Sequence, residues 1–380
     1  MSKSIEMFLI FLPYLKPHNV TLIPQLDVLF KVWKILATVW LLIKLFQKKK
    51  LSIKFFLIIP FCFTWLFSMI INQSLSIIII NCLMTIIGLN IYYYLYKDDQ
   101  NAFNVFVGNL SWIARIYLVC QIVTMLLIDG PLFGTVVENG YDRYFLGGDN
   151  LSAFIMLVLT TIIFYSDYSK YNKISGFSWL LYALEYCCLI KYFVGAGIIS
   201  FSFFFIAMLF KNNKTFVKWF TPSKVLLMGV VFICLVAFGN LSSLLNSLLQ
   251  ATNKGDFNGR TQIWAGAITA ILKKPLLGYG SIEKESFIRQ ILYHANHSHN
   301  IVLEYLFEVG AVGVLSFCFY IKRSVYKRKQ DIILILGLSA YLINSFFDFY
   351  ITSIYFYLLI LLIIWDSQIK RHTGVSSKPI

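Results

Sequence analysis

Long apolar runs set the strongest limit on what this chain can fold into. Runs of about 16–26 residues recur along most of its 380 residues, long enough to cross a hydrocarbon layer of roughly 30 Å. Leu75–Tyr96, Phe103–Ile128, Val225–Gly239, Ile332–Phe347 and Ile351–Trp365 are examples. A soluble domain carries about 25% charged residues. Here the charged share is 13% and the hydrophobic share 58%, too little charge for a polar skin. The runs do not alternate as barrel strands do. Helices that satisfy their own backbone hydrogen bonds are therefore expected, giving an all-α, polytopic membrane bundle.

Twelve spans fit the pattern: about 5–14, 28–46, 52–71, 74–96, 103–128, 150–166, 176–193, 195–210, 225–240, 300–321, 331–347 and 350–366. The first is weak, because Pro13 and Pro17 interrupt it. The chain then divides into a bundle over 1–240, with a polar loop at about 129–149, a large loop over 241–299, and a bundle with a tail over 300–380. No internal repeat is present, and no secretory cleavage site follows the first run, so the chain is expected to be kept whole.

The formal net charge is +15. The positive residues sit mostly in short links, such as Lys48–Lys50, Lys211–Lys224 and Lys322–Lys329, rather than in a nucleic-acid-binding patch. In a twelve-span chain these links share one parity with the tail. The positive-inside bias then puts them and both termini in the cytoplasm. The loops 129–149 and 241–299 face outward. Seven cysteines, Cys62, Cys82, Cys120, Cys187, Cys188, Cys234 and Cys318, show no CxxC pair or metal spacing and read as small core residues.

The outward loop 241–299 holds most of the chemistry. Ile263, Trp264, Ala267, Ile268 and Ile271 recur at helical spacing, and Pro275 with Gly278-Tyr279-Gly280 ends that helix. Phe287, Ile288, Ile291 and Leu292 mark a second. Both read as amphipathic helices along the outer surface. Six positive charges (Lys254, Arg260, Lys273, Lys274, Lys284, Arg289) face three negative ones (Asp256, Glu283, Glu285). A long outward loop escapes the positive-inside bias, so a plain solvated surface explains the surplus; a site for a phosphate headgroup explains it equally well, since Arg binds phosphate bidentately. The loop ends at His294-Ala295-Asn296-His297-Ser298-His299-Asn300. His294 and His297 are spaced to share a metal on a helix, but no Cys or HExxH pattern accompanies them. A histidine near pKa 6.5 is largely neutral at pH 7 and suits general base work.

The ordered set Gly259-Arg260, Ile263-Trp264, Pro275-Leu276-Leu277-Gly278-Tyr279-Gly280, His297-Ser298-His299-Asn300, Leu303, Glu308, Gly310 and Gly313 resembles the O-antigen polymerase and O-antigen ligase superfamily. The resemblance implies a metal-independent, cofactor-free glycosyltransferase at the outer face of the bacterial cytoplasmic membrane. Its donor would be an oligosaccharide on undecaprenyl diphosphate, and its acceptor a sugar hydroxyl on a second lipid-linked repeat. Capsule or exopolysaccharide assembly is the implied setting, with flippase and chain-length regulator proteins as partners and no nucleic acid. His299, in the family's His-Asn position, is the first choice of base and His297 the second. Arg260, Arg289, Arg143 and Lys191 are candidates for the diphosphate. Asn300, Glu304, Glu308, Trp264, Tyr279 and Asp348 are candidates for binding sugar or orienting the base. Around Lys191 the chain departs from the polar or arginine-containing segment of many relatives. A ligase of the same superfamily and a lipid-linked sugar flippase are the rival functions. Arg115 and Glu185, inside apolar runs, are expected to face the interior as a structural pair or a pathway.

Overall fold

The computed structural model describes residues 3–48, 57–133, 144–238, 260–281, 297–325, 331–350 and 353–372. Among these the regular elements are helices: α1 (Lys3–Phe11), α2 (Pro24–Phe46), α3 (Ile59–Ile71), α4 (Ile77–Tyr96), α5 (Gln100–Val123), α6 (Asp149–Tyr171), α7 (Gly176–Lys191), α8 (Gly195–Leu209), α9 (Lys214–Trp219), α10 (Pro222–Phe238), α11 (Arg260–Lys273), α12 (Ile301–Val325), α13 (Ile332–Ser345) and α14 (Ile354–His372). A helix stands at each expected span. Among the described residues, four stretches are long and apolar enough to cross a membrane, by length and composition: Ile77–Tyr96, Gln100–Ile128, Asp149–Tyr171 and Ile301–Ser324. The short α9, in the link after α8, was not expected.

Local chemistry sets the helix ends. Side chains of Ser76, Asp99, Ser175, Asn213 and Asp331 accept a backbone N–H in the first turn of the helix that follows each. Proline opens α2 and lies in the first turn of α3, where its missing N–H costs nothing. Asn172 turns left-handed to end α6.

The core forms around α6, which is buried on all sides from Leu151 to Asp167. A helix apolar all round belongs at the centre of a bundle. It packs on α5 and α13, and α13 packs closely on α8. Gly337 of α13 permits the contact: a Cβ there would meet Thr161 of α6 at 2.2 Å. The peripheral α2 keeps Val28, Leu29, Val32, Ile35, Leu36 and Ile43 exposed, an apolar face suited to lipid.

Contacts between links fall into two groups, one at each end of the bundle. Asn72 and Ser74 bond to residues 278–281, Asn19 to Phe133 and Phe145, Tyr192 to Asp129, and His299 to Asp348. At the other end Gln368 bonds to Asp98, Lys370 pairs with Asp331, and Lys211 lies over the Tyr168 ring. Links of odd and even order do not mix in these pairs.

Two expectations about polar residues change. Arg115 does not pair with Glu185; its guanidinium meets Asp167 at 2.6 Å and Ser111 at 2.6 Å. Glu185, fully buried, accepts from Thr160 at 2.7 Å. Hydropathy marks both charges as interior but carries no information on helix rotation, which decides the partner. Cys62, Cys82 and Cys188 are buried as expected, but Cys187, Cys234 and Cys318 are exposed on helix surfaces.

The helix α12 is broken at Gly310, whose φ of 62° lies in the left-handed region. The segment after α11 threads the break. Tyr279 N and Gly280 N donate to the carbonyls of Phe307 and Glu308 at 2.8 and 2.9 Å. Ala311 N and Val312 N donate to Pro275 and Leu276 at 2.8 and 3.1 Å. Groups freed by the break are thus satisfied by the inserted chain, as a broken helix at membrane depth requires. A Cβ on Gly310 would meet the Leu276 carbonyl oxygen at 2.3 Å, in a backbone conformation that L side chains avoid. Gly310→Ala is expected to lower stability by roughly 2 kcal/mol or more, read as a fall in melting temperature of the detergent-purified protein. An unchanged melting temperature would mean that the clasp does not hold the fold.

Candidate functional site

The clasp fixes where the site can be. α11 lays Ile263, Trp264, Ala267 and Ala270 against α10 and α12, in a small core with Tyr279, Leu303 and Phe307. One face of this expected surface helix is therefore interior. Trp264 is fully buried, and its indole N–H donates to the Ser298 carbonyl at 3.0 Å. Tyr279 is stacked on Phe307, with its hydroxyl donating to Ala270. Both were expected as sugar platforms, but here their faces are used in holding the loop.

Segment 297–300 is a tight turn held from several sides. The Glu304 carboxylate, buried, accepts from Ser298 N at 2.7 Å and Ser298 Oγ at 2.6 Å. The Asn300 carboxamide caps α12, with Oδ1 accepting from Val302 N and Leu303 N, while Nδ2 donates to the Phe346 carbonyl. Between these anchors His299 is left-handed, with φ of 52°. A histidine held in this sparse region is worth a functional question.

The same turn puts two imidazoles on one carboxylate. His299 Nδ1 lies 3.0 Å from Asp348 Oδ1, and His297 Nε2 lies 3.7 Å from the same oxygen. Asp348 belongs to the link between α13 and α14 and is buried. Phe349 N also donates to its Oδ1 at 2.9 Å. The imidazoles lie with ring centroids 3.9 Å apart, and Tyr350 lies 5.0 Å from His297. Arg260, the first residue of α11, sets its charge against Asp348 and His297.

Protonation follows from the surroundings. Burial, helped by His299 and Arg260 and opposed by Asp348, pulls His297 down to about 4 from 6.5. Burial works against the Asp348 charge, but the His299 hydrogen bond and the charges of His297, His299 and Arg260 outweigh it and hold the carboxyl low. At pH 7 the group is one carboxylate beside a neutral His297. An Asp accepting from the Nδ1–H of His299 leaves Nε2 with its lone pair free, the tautomer a base needs. His299 is also the more open of the two histidines, with 25% of its side chain exposed against 13% for His297.

His297, His299 and Asp348 also present three donor atoms within 4.8 Å of one another, enough for a metal. His297 argues against that use in this arrangement. Its Nδ1 accepts the His299 backbone N–H at 3.3 Å, so the ring proton is on Nε2, the atom that would face the ion. A histidine bound through Nε2 carries its proton on Nδ1 instead.

Other expected site residues are elsewhere. Glu308 accepts from the Trp65 indole at 3.0 Å, and Ser68 donates to its carbonyl, so it joins α12 to α3. Lys191 donates to the Met125 carbonyl at 2.8 Å, in a group with Tyr192 and Asp129. Arg143, Arg289, His294 and the second expected loop helix lie outside the described residues. Sequence reasoning missed Ser298, whose only signal was its place between two histidines.

Residues 187–318 match the O-antigen ligase family model. The match runs from the end of α7 into α12 and takes in Arg260, the inserted segment and the histidine turn. It is consistent with the O-antigen polymerase and ligase superfamily and supports a glycan transferase in general. No curated protein and no solved structure matches the chain significantly. Asp348 lies beyond the matched residues.

The pH dependence of stability follows by linkage. His297 binds its proton less readily folded than unfolded, so the folded state loses ground as pH falls from about 6.5 to about 4. The Asp348 shift has the same sign but acts below the ordinary carboxylate range. His297→Gln is expected to remove up to about 3 kcal/mol of this acid loss, seen as a flatter plot of melting temperature against pH between 6.5 and 4. Identical slopes for the two proteins would contradict a buried neutral His297.

Proposed function

We propose that the chain is a polysaccharide repeat-unit polymerase acting at the outer face of the cytoplasmic membrane. It would move a glycan from undecaprenyl diphosphate to a sugar hydroxyl of another lipid-linked repeat. The observation that carries this reading is the His299–Asp348 pair beside Arg260, within and next to the matched family region. His299 Nε2 takes the proton of the acceptor hydroxyl as its oxygen attacks the anomeric carbon. The bond from that carbon to the diphosphate oxygen breaks, and the diphosphate leaves with the electron pair. Asp348 holds the imidazole in its tautomer and supports the imidazolium that forms. Arg260 offers positive charge where the leaving group becomes more negative. Arg289 and Arg143 are further candidates for the same task.

Several observations support the membrane placement. The contacts between links separate into two ends, as a twelve-span chain with both termini on one side would require. The Lys-rich link Lys211–Lys224 and the cations Lys322 and Arg323 belong to the end opposite the histidines, in keeping with histidines outside. The energy is already in the diphosphate bond, so the proposed reaction consumes no nucleotide, and the residue roles above do not call on a metal. The matching model's description as a ligase favours the second reading, in which finished glycan goes to a different acceptor.

Lipid-linked products of a deletion strain separate the readings. Single repeats left on the carrier indicate the polymerase, long unattached chains the ligase, and repeats stranded on the inner leaflet a flippase. With purified protein, lipid-linked repeats should lengthen in chelator without nucleotide. His299→Ala and Asp348→Asn are each expected to slow that reaction by about 10²- to 10⁴-fold. Full activity of His299→Ala would remove it as the base, and full activity of Arg260→Ala would remove it from the leaving group.

A further inference from the structure

A second group of cations stands at the histidine end of the bundle, on elements that the proposed reaction does not use. Lys34 lies on α2 about 15 Å along from its start at Pro24, on the face turned from the exposed apolar residues. It is buried, at 8% exposure. Its ammonium donates to Asn81 Oδ1 at 2.9 Å and to Thr85 Oγ1 at 3.3 Å, both neutral groups on α4. Lys31 lies three residues earlier, near one turn away, and pairs with Asp27 at 2.7 Å. Lys16, from the link between α1 and α2, pairs with the same carboxylate. Among the described residues, Asp27 is the one carboxylate that pairs with Lys16 and Lys31, and it makes no ion pair with Lys34.

The balance is therefore two positive charges in excess, one of them buried. A buried cation with only neutral partners is costly at membrane depth, and such residues usually mark a ligand site or pathway. The position is also suggestive by geometry. Asn81 is one turn into α4, directly after the link whose Asn72 and Ser74 hold the clasp. The starts of α2 and α4, which carry these groups, thus lie at the same end as His299.

We infer that Lys34, with Lys16 and Lys31, binds the phosphate group of a membrane amphiphile. The proposal rests on the polymerase reading only for its preferred source. A polymerase must hold two lipid diphosphates at once, one leaving and one on the acceptor. Arg260 serves the first, and the lysine group would serve the second. The other source of the same chemistry is an anionic phospholipid of the surrounding leaflet.

Binding can be measured without turnover, so a failed polymerase reading does not hide the result. Full-length protein in phosphatidylcholine nanodiscs would be titrated with undecaprenyl diphosphate. Two equivalents are expected for the unaltered chain, one for Lys34→Met, and two again for Lys34→Arg, which keeps the charge and controls for folding. If Lys34→Met does not fold, Lys16→Ala with Lys31→Ala is expected to weaken the second equivalent at least about tenfold while leaving the first. Repeating the titration with phosphatidylglycerol in the nanodisc separates the sources. Loss of the second equivalent there assigns the site to a phospholipid headgroup, and its survival assigns it to the carrier. A single equivalent in phosphatidylcholine, unaffected by removing these lysines, overturns the proposal.

Discussion

The break in α12 at Gly310 is the constraint on which the site depends. A helix that stops inside a bundle leaves carbonyls and N–H groups that must find partners. Here the Pro275–Ser281 segment supplies them, with four backbone bonds across the break. Ser74, Ser68, Asn72 and Trp65 then fasten the same junction to α3 and the link after it. A long loop tied at this point cannot drift from the bundle. Its helix α11 can bury Trp264, and Trp264 can hold Ser298. The position of His299 is thus a consequence of backbone bonding about three turns away.

From that anchor the geometry of the candidate site is local. Glu304 and Asn300 are on or at the start of α12, so they move with the clasped helix. Asp348 comes from the opposite direction, on the link between α13 and α14. The Asn300 bond to the Phe346 carbonyl joins the two sides at 3.0 Å. This cross-tie matters because a base and its orienting carboxylate on separate elements need a common reference. Without it, a small shift of α13 would separate Asp348 from Nδ1. The left-handed backbone of His299 fits the same logic, since strain persists only where surrounding bonds over-determine it.

Much of the fold was legible in the sequence because hydrophobic runs and capping residues are local signals. Helices appear at all twelve expected positions, and Asp99 and Asp331 start helices as side chains of their type do. The kink at Gly310 was not legible, since the loop that stabilises it is about 30 residues away in sequence. The site was legible in part. The His297-Ser298-His299-Asn300 turn stands out by composition, and Asp348 by its place at a turn. Trp264 and Tyr279 were misplaced because an aromatic in a polar loop looks available until its packing partners are known. Arg115 met Asp167 rather than Glu185 because rotation of α5 is set by neighbours that hydropathy does not identify.

The two polar groups at the histidine end differ in how their charge is balanced, and the difference bears on mechanism. At His299 one buried carboxylate is shared by two imidazoles and the Arg260 field, so the Asp348 charge is matched by the cation beside it. At Lys34 the cations outnumber the carboxylate, so that site is ready to receive an anion. A transfer between two lipid-linked substrates calls on both arrangements: a base at the acceptor hydroxyl, and cations for each charged headgroup. A ligase with an uncharged acceptor would have no use for the second. The spare charge on α2 is therefore the feature that makes the identity of the acceptor a question of electrostatics as well as of sugar chemistry.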